Sequence, residues 1–353
     1  MTTIKEVARK ARVSVGTVSN VMRSLVPVSP KRRERVLAAI RDLGYHPDHV
    51  ARSLKLRQTM MLGMIISDIT NPFFSQLVRG AEDAALEHNY LLLTFNTDDK
   101  PAREKHVLSV LRSRRVDGIL LVVAPDEHGY SHITEILDGG IPIVCLDRVP
   151  PKMKVDSVTV DNVKASQECV RHLIERGHRR IGIITGSLTL PTARQRLRGY
   201  EKALLEALIP VDRGLISQSD FRAEGGYQAG KKLLSKPNRP SALFVSNAMM
   251  ALGVLKAVEE LGLRCPEEFA LAVFDDLPLA ELLRPQLTSV AQPAYIMGYR
   301  GAELLIQRLA AKTAKKGVGG PIAVRLPTEL KIRESTSGQV LQQVADGSRL
   351  ESD

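Results

Sequence analysis

The chain opens with apolar residues spaced as one face of a helix, beginning at Ile4 and continuing through Val7. Thr3 and Glu6 fit a capping box, in which each side chain accepts a hydrogen bond from the other residue's backbone amide. This pattern predicts a first helix that starts at Ile4 and ends near Arg12.

Two further helices are predicted in the next thirty or so residues by the same kind of signal. Ser14 can cap a second helix, whose apolar face includes Val18. Ser29 and Pro30 predict a third start, because proline is favoured at the first helical position, and Gly44 supplies a C-terminal stop. Three short helices with a tight turn between the first two describe an all-α helix-turn-helix head, a motif whose second helix enters the major groove of DNA.

Beyond residue 58, short apolar runs alternate with amphipathic stretches. This alternation is typical of parallel sheets covered by helices on both faces. Because the body is too long for one such sheet, we expect two similar lobes. The runs that we interpret as buried strands are Met61 to Ile66, Tyr90 to Phe95, Gly118 to Val123, Ile141 to Leu146, Ile181 to Thr185, Ala242 to Val245 and Leu271 to Phe274.

Basic charge is concentrated in the head. Residues 1–58 contain 13 Lys and Arg against 4 Asp and Glu, so they hold +9 of the formal net charge of +11. The residues that follow are nearly neutral, at +2. A strongly basic module joined to a neutral body is typical of a protein that binds nucleic acid at one end and has another task at the other.

The composition of the 353 residues, with 44% hydrophobic and 25% charged side chains, excludes a disordered or fibrous chain. No apolar run is long enough to span a membrane, and the first twenty residues are charged, so we expect a soluble cytoplasmic protein. Cys145, Cys169 and Cys265 are too scattered for a disulfide framework or a C-x-x-C site. We expect no metal and no cofactor.

The second helix would be the one that reads DNA. Its early outward positions include Val15, which can touch a thymine methyl group, and Asn20, which can pair with adenine. Gly16 lets the backbone approach closely, whereas Ser14 and Thr17 are suited to phosphate contacts that position the helix without specifying sequence.

These segments resemble the N-terminal signature of the lactose-repressor (LacI/GalR) family. The matching segments are Thr3–Ala11, Val13–Asn20, Val28–Pro30, Arg35–Ile40 and Leu43–Pro47, and the likeness continues to about Ser335. Arg12 stands where the family usually has Gly or Asn, and a left-handed backbone there costs about 1 kcal/mol relative to Gly. Asn20 stands where Arg or His is commoner in the family. The resemblance therefore does not indicate which outer bases the operator has.

The resemblance implies a hinge helix between head and body that forms on the operator. The family's hinge helix contains an Ala-Arg-Ser-Leu segment, and the Leu of that segment corresponds to Leu54 of this chain. In the family this Leu is inserted as a wedge into the minor groove, where it kinks the duplex. The expected DNA-binding residues are Thr3, Ser14, Val15, Gly16, Thr17, Asn20, Arg52, Ser53, Leu54 and Lys55. The expected partner is double-stranded operator DNA.

Ligands in open α/β sheets bind at the carboxyl ends of the strands, so the residues that follow each predicted strand are the candidates. Polar side chains and several of the seven phenylalanines cluster there, which suits a sugar whose C–H face stacks while its hydroxyls pair. The family resemblance implies the same set in a cleft between lobes. The set comprises Asn71, Phe73, Phe74, Asp147, Arg148, Arg196, Phe221, Asn247 and Asp275.

One mismatch bears on the class of ligand. The family usually has Asn-Asp where this chain has Asn247 and Ala248, and that Asp commonly binds the hydroxyls of neutral sugars. Its absence, with Arg148 and Arg196 present, favours a ligand that carries a carboxylate or phosphate. The candidates are therefore a sugar, a sugar acid and a sugar phosphate.

We predict four regions: a head at 1–45, a hinge at 46–58, a two-lobed ligand-binding and dimerisation domain at 59–335, and a flexible tail at 336–353. The body is predicted to be an α/β periplasmic-binding-protein-like effector domain of two doubly wound lobes. A homodimer is expected, because the family uses two heads on a two-fold palindrome and the tail has too few apolar residues for a tetramer helix.

Three classes of function are compatible with this chain length and composition: a ligand-responsive repressor, a pure solute-binding protein and an α/β enzyme. The basic head argues against a pure solute-binding protein, and the absence of a nucleophile–base pair or cofactor loop argues against an α/β enzyme. Gly225 to Lys231 matches part of a P-loop, but Lys232 stands where Ser or Thr is needed. A ligand-responsive repressor remains, with an inducer favoured over a corepressor, and control by a phosphorylated carrier protein is the alternative.

Overall fold

The computed structural model describes residues 2–23, 27–45, 58–314 and 319–337. The chain divides into two compact units, residues 1–59 and 60–353, which are treated separately below. The predicted hinge residues Arg52, Ser53, Leu54 and Lys55 lie outside the described residues, as does most of the predicted tail.

The first unit contains three helices, α1 (Ile4–Ala11), α2 (Val15–Arg23) and α3 (Pro30–Asp42). The predicted capping box is present, since the Glu6 amide donates to the Thr3 hydroxyl and the Thr3 amide donates to the Glu6 carboxylate. The predicted start of α1 is therefore confirmed.

The turn between α1 and α2 is held by two features. Arg12 has a left-handed backbone, with φ of 52° and ψ of 52°. Ser14 accepts a hydrogen bond from the Thr17 amide at 3.1 Å and so caps α2, as predicted. Ser29, in contrast, makes no side-chain cap hydrogen bond to α3.

A small apolar core joins the three helices. Val7, Val18 and Val36 are fully buried, one from each helix. Leu37 of α3 is 41% exposed, whereas Ala39, three residues after Val36, is buried. The spacing from Val36 to Ala39 keeps one face of the helix inward, whereas Leu37 is rotated by about 100° from Val36.

The second unit consists of two α/β lobes with six-stranded sheets. The strands are β1 (Met61–Ile66), β2 (Leu91–Asn96), β3 (Gly118–Leu121), β4 (Ile143–Leu146), β5 (Asp156–Val160), β6 (Ile181–Thr185), β7 (Ile216–Gln218), β8 (Ala242–Val245), β9 (Ala270–Phe274), β10 (Thr288–Ala291), β11 (Ala323–Leu326) and β12 (Glu329–Lys331). The helices are α4 (Pro72–Glu87), α5 (Pro101–Ser113), α6 (Ser131–Asp138), α7 (Asn162–Glu175), α8 (Pro191–Glu206), α9 (Ala223–Leu234), α10 (Ala248–Glu260) and α11 (Ala294–Thr313).

The sheet orders show two equivalent doubly wound lobes. The first sheet has the order β11-β5-β4-β3-β1-β2, and the second has the order β12-β10-β9-β8-β6-β7. Neighbouring strands are parallel except for β12, which is antiparallel to β10. The chain passes between the lobes after β5, after β10 and after β11, so three segments connect them.

Each predicted strand corresponds to an observed one, with ends that differ by up to two residues. The apolar runs are recognisable because strands such as β1 and β9 are buried on both faces. Gly225 and Lys231 lie within helix α9, so the partial P-loop match is part of a regular helix.

The described structure continues past the boundary that we placed at residue 335. Thr336 is fully buried, and its hydroxyl lies 2.8 Å from His172 Nε2 and 2.7 Å from the Thr288 hydroxyl. Thr336 thus packs with the second lobe. Among the described residues, no helix is long and apolar enough to cross a membrane.

Candidate functional site: a cleft between two lobes

A cavity of about 250 Å³ lies where the strand ends of the two lobes face each other. All nine residues of the predicted ligand set line it. From the first lobe come Asn71, Phe73, Phe74, Asp147 and Arg148, and from the second lobe come Arg196, Phe221, Asn247 and Asp275. The structure therefore brings together residues that are up to about two hundred positions apart in the sequence.

Several lining residues were not in the predicted set. They include Ser67, Asp98, Asp99, Thr192, Asp220, Met249 and Gln292. Asp98 and Asp99 follow β2 directly, so the same strand-end rule could have found them. Gln292 follows β10, a strand that the sequence did not reveal.

The Phe73 and Phe74 rings form an edge-to-face pair, with centroids 5.1 Å apart and planes at 74°. Asn71 positions them, because its side-chain oxygen accepts a hydrogen bond from the Phe73 amide at 3.1 Å and caps α4. On the opposite lobe, the Phe221 ring lies against Gly186, where a Cβ would come within 2.3 Å of the ring. Aromatic faces thus line the cavity from both lobes.

Arg148 is buried and already has an acidic partner. Its guanidinium donates to Asp99 Oδ1 at 2.6 Å and to the Ser67 hydroxyl at 2.5 Å. The Ser67 hydroxyl in turn donates to Asp99. The positive charge of Arg148 is therefore neutralised inside the first lobe.

Arg196 is also buried, and its polar contacts lie within the second lobe. It donates to Asn162 Oδ1 at 2.9 Å and to the Ser246 carbonyl at 2.7 Å, and it lies 3.9 Å from an Asp275 oxygen. Its guanidinium carbon lies 3.7 Å from the centre of the Phe274 ring. Burial lowers the pKa of Arg196, although Asp275 and Asp147 oppose that effect.

Two buried aspartates occupy equivalent places, at the ends of β4 and β9. Burial raises the pKa of Asp147 while Arg148 and Arg196 lower it, and burial likewise raises the pKa of Asp275 against the effect of Arg196. Asp275 accepts a hydrogen bond from Gln292 at 2.6 Å, whereas Asp147 Oδ1 is buried without a hydrogen-bond partner among the described residues. An unpartnered buried carboxylate oxygen is suited to accept a hydrogen bond from a ligand hydroxyl.

The cavity lining also concentrates unusual backbone geometry. Asp98, Asp99, Asp147, Phe221 and Asp275 all have positive φ, between 52° and 74°. A left-handed backbone at each such non-glycine residue lowers the stability of the fold by roughly 1–3 kcal/mol, and it is kept only where the surrounding structure requires it. Backbone strain of this kind clusters at binding sites.

Asn247 has a structural role as well as a place in the lining. Its side-chain oxygen accepts a hydrogen bond from the Met250 amide at 2.9 Å, and its amide donates to the Phe221 carbonyl at 3.0 Å. Ala248, which replaces the family's usual Asp, is buried and does not line the cavity.

In the head, the predicted reading residues lie at the start of α2. Ser14, Val15 and Gly16 are exposed, and Thr17 and Asn20 are partly exposed. Val15 is 41% exposed, an unusual position for an apolar side chain in so small a unit. Thr3 is exposed beside α1 and is occupied by its capping box.

Comparison with known proteins gives the family. Residues 3–48 match the family model described as bacterial regulatory proteins of the lacI family, and residues 170–336 match a periplasmic binding protein-like domain. The ribose operon repressor of Escherichia coli (strain K12) is 37% identical over 90% of this chain and 96% of its own length. The chain belongs to the lacI family of bacterial regulatory proteins.

Two further matches extend over nearly the whole chain. Catabolite control protein A of Priestia megaterium is 35% identical to this lacI-family chain over 95% of it and 99% of the relative. The solved lac repressor dimer bound to operator and the anti-inducer ONPF has a TM-score of 0.81 and 27% identity, covering 95% of this chain and 99% of that one.

Family membership makes this protein a DNA-binding transcriptional regulator rather than an enzyme. The predicted fold class, a helix-turn-helix head with a two-lobed periplasmic-binding-protein-like body, is confirmed. Within the described ranges, no group of three or more His, Cys, Asp or Glu side chains is arranged to hold a metal ion.

Proposed function

We propose that this regulator is a homodimeric repressor that binds a palindromic operator and is released when a neutral sugar binds in the cleft. The proposal rests mainly on one observation, the charge and hydrogen bonding of the cleft lining. Six aspartates and three arginines line the cavity. An anionic ligand would therefore enter an excess of negative charge.

The two buried arginines do not reverse this balance. Arg148 is paired with Asp99, and Arg196 is bonded to Asn162 and the Ser246 carbonyl, with Asp275 nearby. Binding a carboxylate or phosphate through the bonded nitrogens would require these contacts to be exchanged, at a desolvation cost for the aspartates left behind. Among the described residues, Arg148 Nε has no hydrogen-bond partner, but it lies 4.0 Å from the Asp147 carboxylate. The geometry thus favours a neutral sugar over the acidic ligand that the sequence indicated.

The size and chemistry of the cavity suit a small sugar. Its volume of about 250 Å³ lies just below the range of roughly 300–1,000 Å³ that is usual for drug-sized ligands. Carboxylate oxygens such as Asp147 Oδ1 accept hydrogen bonds from hydroxyls, and the Phe73 and Phe74 rings offer faces and edges to C–H groups. The ribose operon repressor, a relative, takes its name from a sugar operon.

Release would follow from the two-lobed lining. A ligand that contacts Asp147 in one lobe and Asp275 in the other stabilises one angle between the lobes over another. Strand β1 of the first lobe begins at Met61, three residues after the end of the hinge segment 46–58. We propose that the change in lobe angle alters whether residues 46–58 form a helix on DNA, with Leu54 as the wedge.

Recognition of DNA is proposed to use the exposed start of α2. Val15, Gly16 and Asn20 would contact base edges, and Ser14, Thr17 and Thr3 would contact phosphates. Arg52, Ser53 and Lys55 would add phosphate contacts from the hinge.

A thermal-shift screen of the full chain tests the ligand class. Neutral monosaccharides and disaccharides, sugar acids with one carboxylate and sugar monophosphates are each added at the same concentration and ionic strength. A neutral sugar is expected to give the largest rise in melting temperature, because ligand binding to the native state stabilises it. Stabilisation by sugar acids or phosphates alone would contradict the proposal.

A further inference from the structure

A second cavity, which adjoins the ligand cleft, lies beside the segment that crosses from β5 to α7. It shares Asp147 and Arg148 with the cleft, but its volume is larger, about 730 Å³. We call it the basic groove and define it by its exposed and half-buried charged side chains. These are Asp161, Lys164, Arg198, Lys202 and Arg325.

The charge of the basic groove is opposite to that of the cleft. Apart from the shared pair Asp147 and Arg148, its lining holds four exposed cations against the single, half-buried carboxylate of Asp161. Two cavities that meet at the same pair of residues but carry opposite charge are equipped for different ligands.

The groove is built on a close contact between two helices. Gly199 of α8 lies against α7, where a Cβ would come within 2.4 Å of the Val163 carbonyl oxygen. Arg198 and Lys202 are four residues apart on α8 and so lie on one face of it. Lys164 projects from the first turn of α7, whose amide end adds positive potential.

The cations of the groove are incompletely neutralised. The Arg198 side chain has no hydrogen bond or ion pair with the described residues. Lys164 and Lys202 lie 3.9 Å from Glu168 and Glu206, which is long for an ion pair.

The nearby carboxylates have other partners. Asp161 caps α7 through the Lys164 amide at 3.0 Å and contacts Arg325 at 3.3 Å. Glu206 accepts a hydrogen bond from Gln167 at 2.5 Å. The positive charge of the groove is therefore available to a mobile anion.

We propose that the basic groove binds a small molecule that carries at least two phosphate or carboxylate groups. An arginine fork and two lysines on facing helices match the oxygens of such groups. The groove volume lies within the usual range for small-molecule sites, roughly 300–1,000 Å³. This site is independent of the sugar proposed for the cleft.

Calorimetric titration of the full chain with sodium pyrophosphate and with sodium citrate, at constant ionic strength, tests the proposal. Saturable binding of at least one of the two probes is expected, and whichever binds tighter identifies the phosphate or carboxylate class. Arg198→Ser combined with Lys202→Ser should raise the dissociation constant of the probe by about tenfold or more, because two charge-assisted contacts are lost. Arg198→Lys combined with Lys202→Arg keeps both charges and should retain binding, which separates charge from folding.

Two controls isolate the groove. Arg176→Ser removes an exposed cation of the same lobe outside the groove, and Lys31→Ser with Arg33→Ser removes two cations of the basic head. Both controls should bind the probe as the wild type does, and the groove variant should bind the cleft sugar unchanged. The proposal fails if the wild type shows no saturable binding of either probe, or if the head variant loses as much affinity as the groove variant.

Discussion

The guanidinium of Arg196 stacks on the ring of Phe274, with its central carbon 3.7 Å from the ring centre. Phe274 is the last residue of β9, and the next residue is Asp275, so this contact fixes Arg196 beside an aspartate of the cleft. Arg196 also donates to Asn162, which lies at the crossing from the first lobe to the second. One side chain thus ties the cleft wall to a connection between lobes.

Replacing Arg196 by Lys should therefore weaken sugar binding by about tenfold or more, because an ammonium cannot stack and donate in the same fork geometry. The measurement is calorimetric titration with the neutral sugar that most stabilises the wild type. Arg194→Lys is the matched control, since the Arg194 guanidinium is exposed and, among the described residues, donates to the carbonyls of Leu188 and Thr189. Wild-type affinity in Arg196→Lys would show that Arg196 does not support the site.

Arg12 holds a left-handed backbone in the turn of the head, and its amide donates to the carbonyls of Ala8 and Arg9. Arg12→Gly should stabilise the head by up to about 1 kcal/mol, because glycine adopts this conformation without a Cβ penalty. Slower amide hydrogen exchange in α1 and α2 of the full chain would report it. Arg9→Gln, which removes a charge without touching the turn, should leave exchange nearly unchanged, and faster exchange in Arg12→Gly would contradict the prediction.

The Asp276 carboxylate accepts hydrogen bonds from Arg333, Lys331 and Ser289, and the two cations make this an ionised cluster. Burial raises its pKa, but the hydrogen bonds from these partners outweigh burial and lower the pKa to about 2. The folded value is below the ordinary value of 3.8, so the ionised cluster stabilises the protein above about pH 4 and loses that effect as pH falls toward 2.

Asp276→Asn should accordingly lower the free energy of unfolding by about 2 kcal/mol at pH 7, and by less at pH 3. Urea unfolding followed by circular dichroism at both pH values measures the difference. Glu175→Gln disrupts an exposed ion pair at 3.8 Å and should change stability by well under 1 kcal/mol. If Asp276→Asn lowers the free energy of unfolding equally at pH 7 and at pH 3, its effect comes from packing and not from the ionised carboxylate.

Strand β2 forms one edge of the first sheet and carries Leu91, which is 61% exposed. An apolar edge strand leaves unpaired backbone groups that a second copy of the chain can cover. Light scattering should therefore show a dimer at micromolar concentration, and Leu91→Lys should shift it toward monomer. Leu205→Lys replaces another apolar residue, 72% exposed, and should leave the dimer intact. A stable tetramer, or a monomer in the wild type, would contradict this assignment.

The sequence predicted the uninterrupted apolar strands better than the strands that carry polar residues, for a physical reason. Central strands such as β8 are buried on both faces and read as uninterrupted apolar runs. Strand β5 includes Asp156 and Ser157, and β11 alternates between exposed and partly buried residues, so neither stands out by hydrophobicity.

The candidate cleft was predictable as a set of residues but not in its charge balance. Strand-end residues converge by topology, which is why Asp147 and Asp275 could be chosen from sequence. The pairing of Arg148 with Asp99, 49 residues away, depends on a loop geometry that no local pattern encodes. The preference for an anionic ligand drawn from the sequence therefore did not include this pairing.

The central claim is that a neutral sugar in the cleft controls operator binding. Fluorescence anisotropy of the full chain with a palindromic operator, selected by the protein from randomised DNA, measures this directly. With the sugar identified by thermal shift, the operator dissociation constant should rise by about tenfold or more, within the usual range of allosteric coupling. An operator affinity that the sugar leaves unchanged, or makes tighter, would contradict the account.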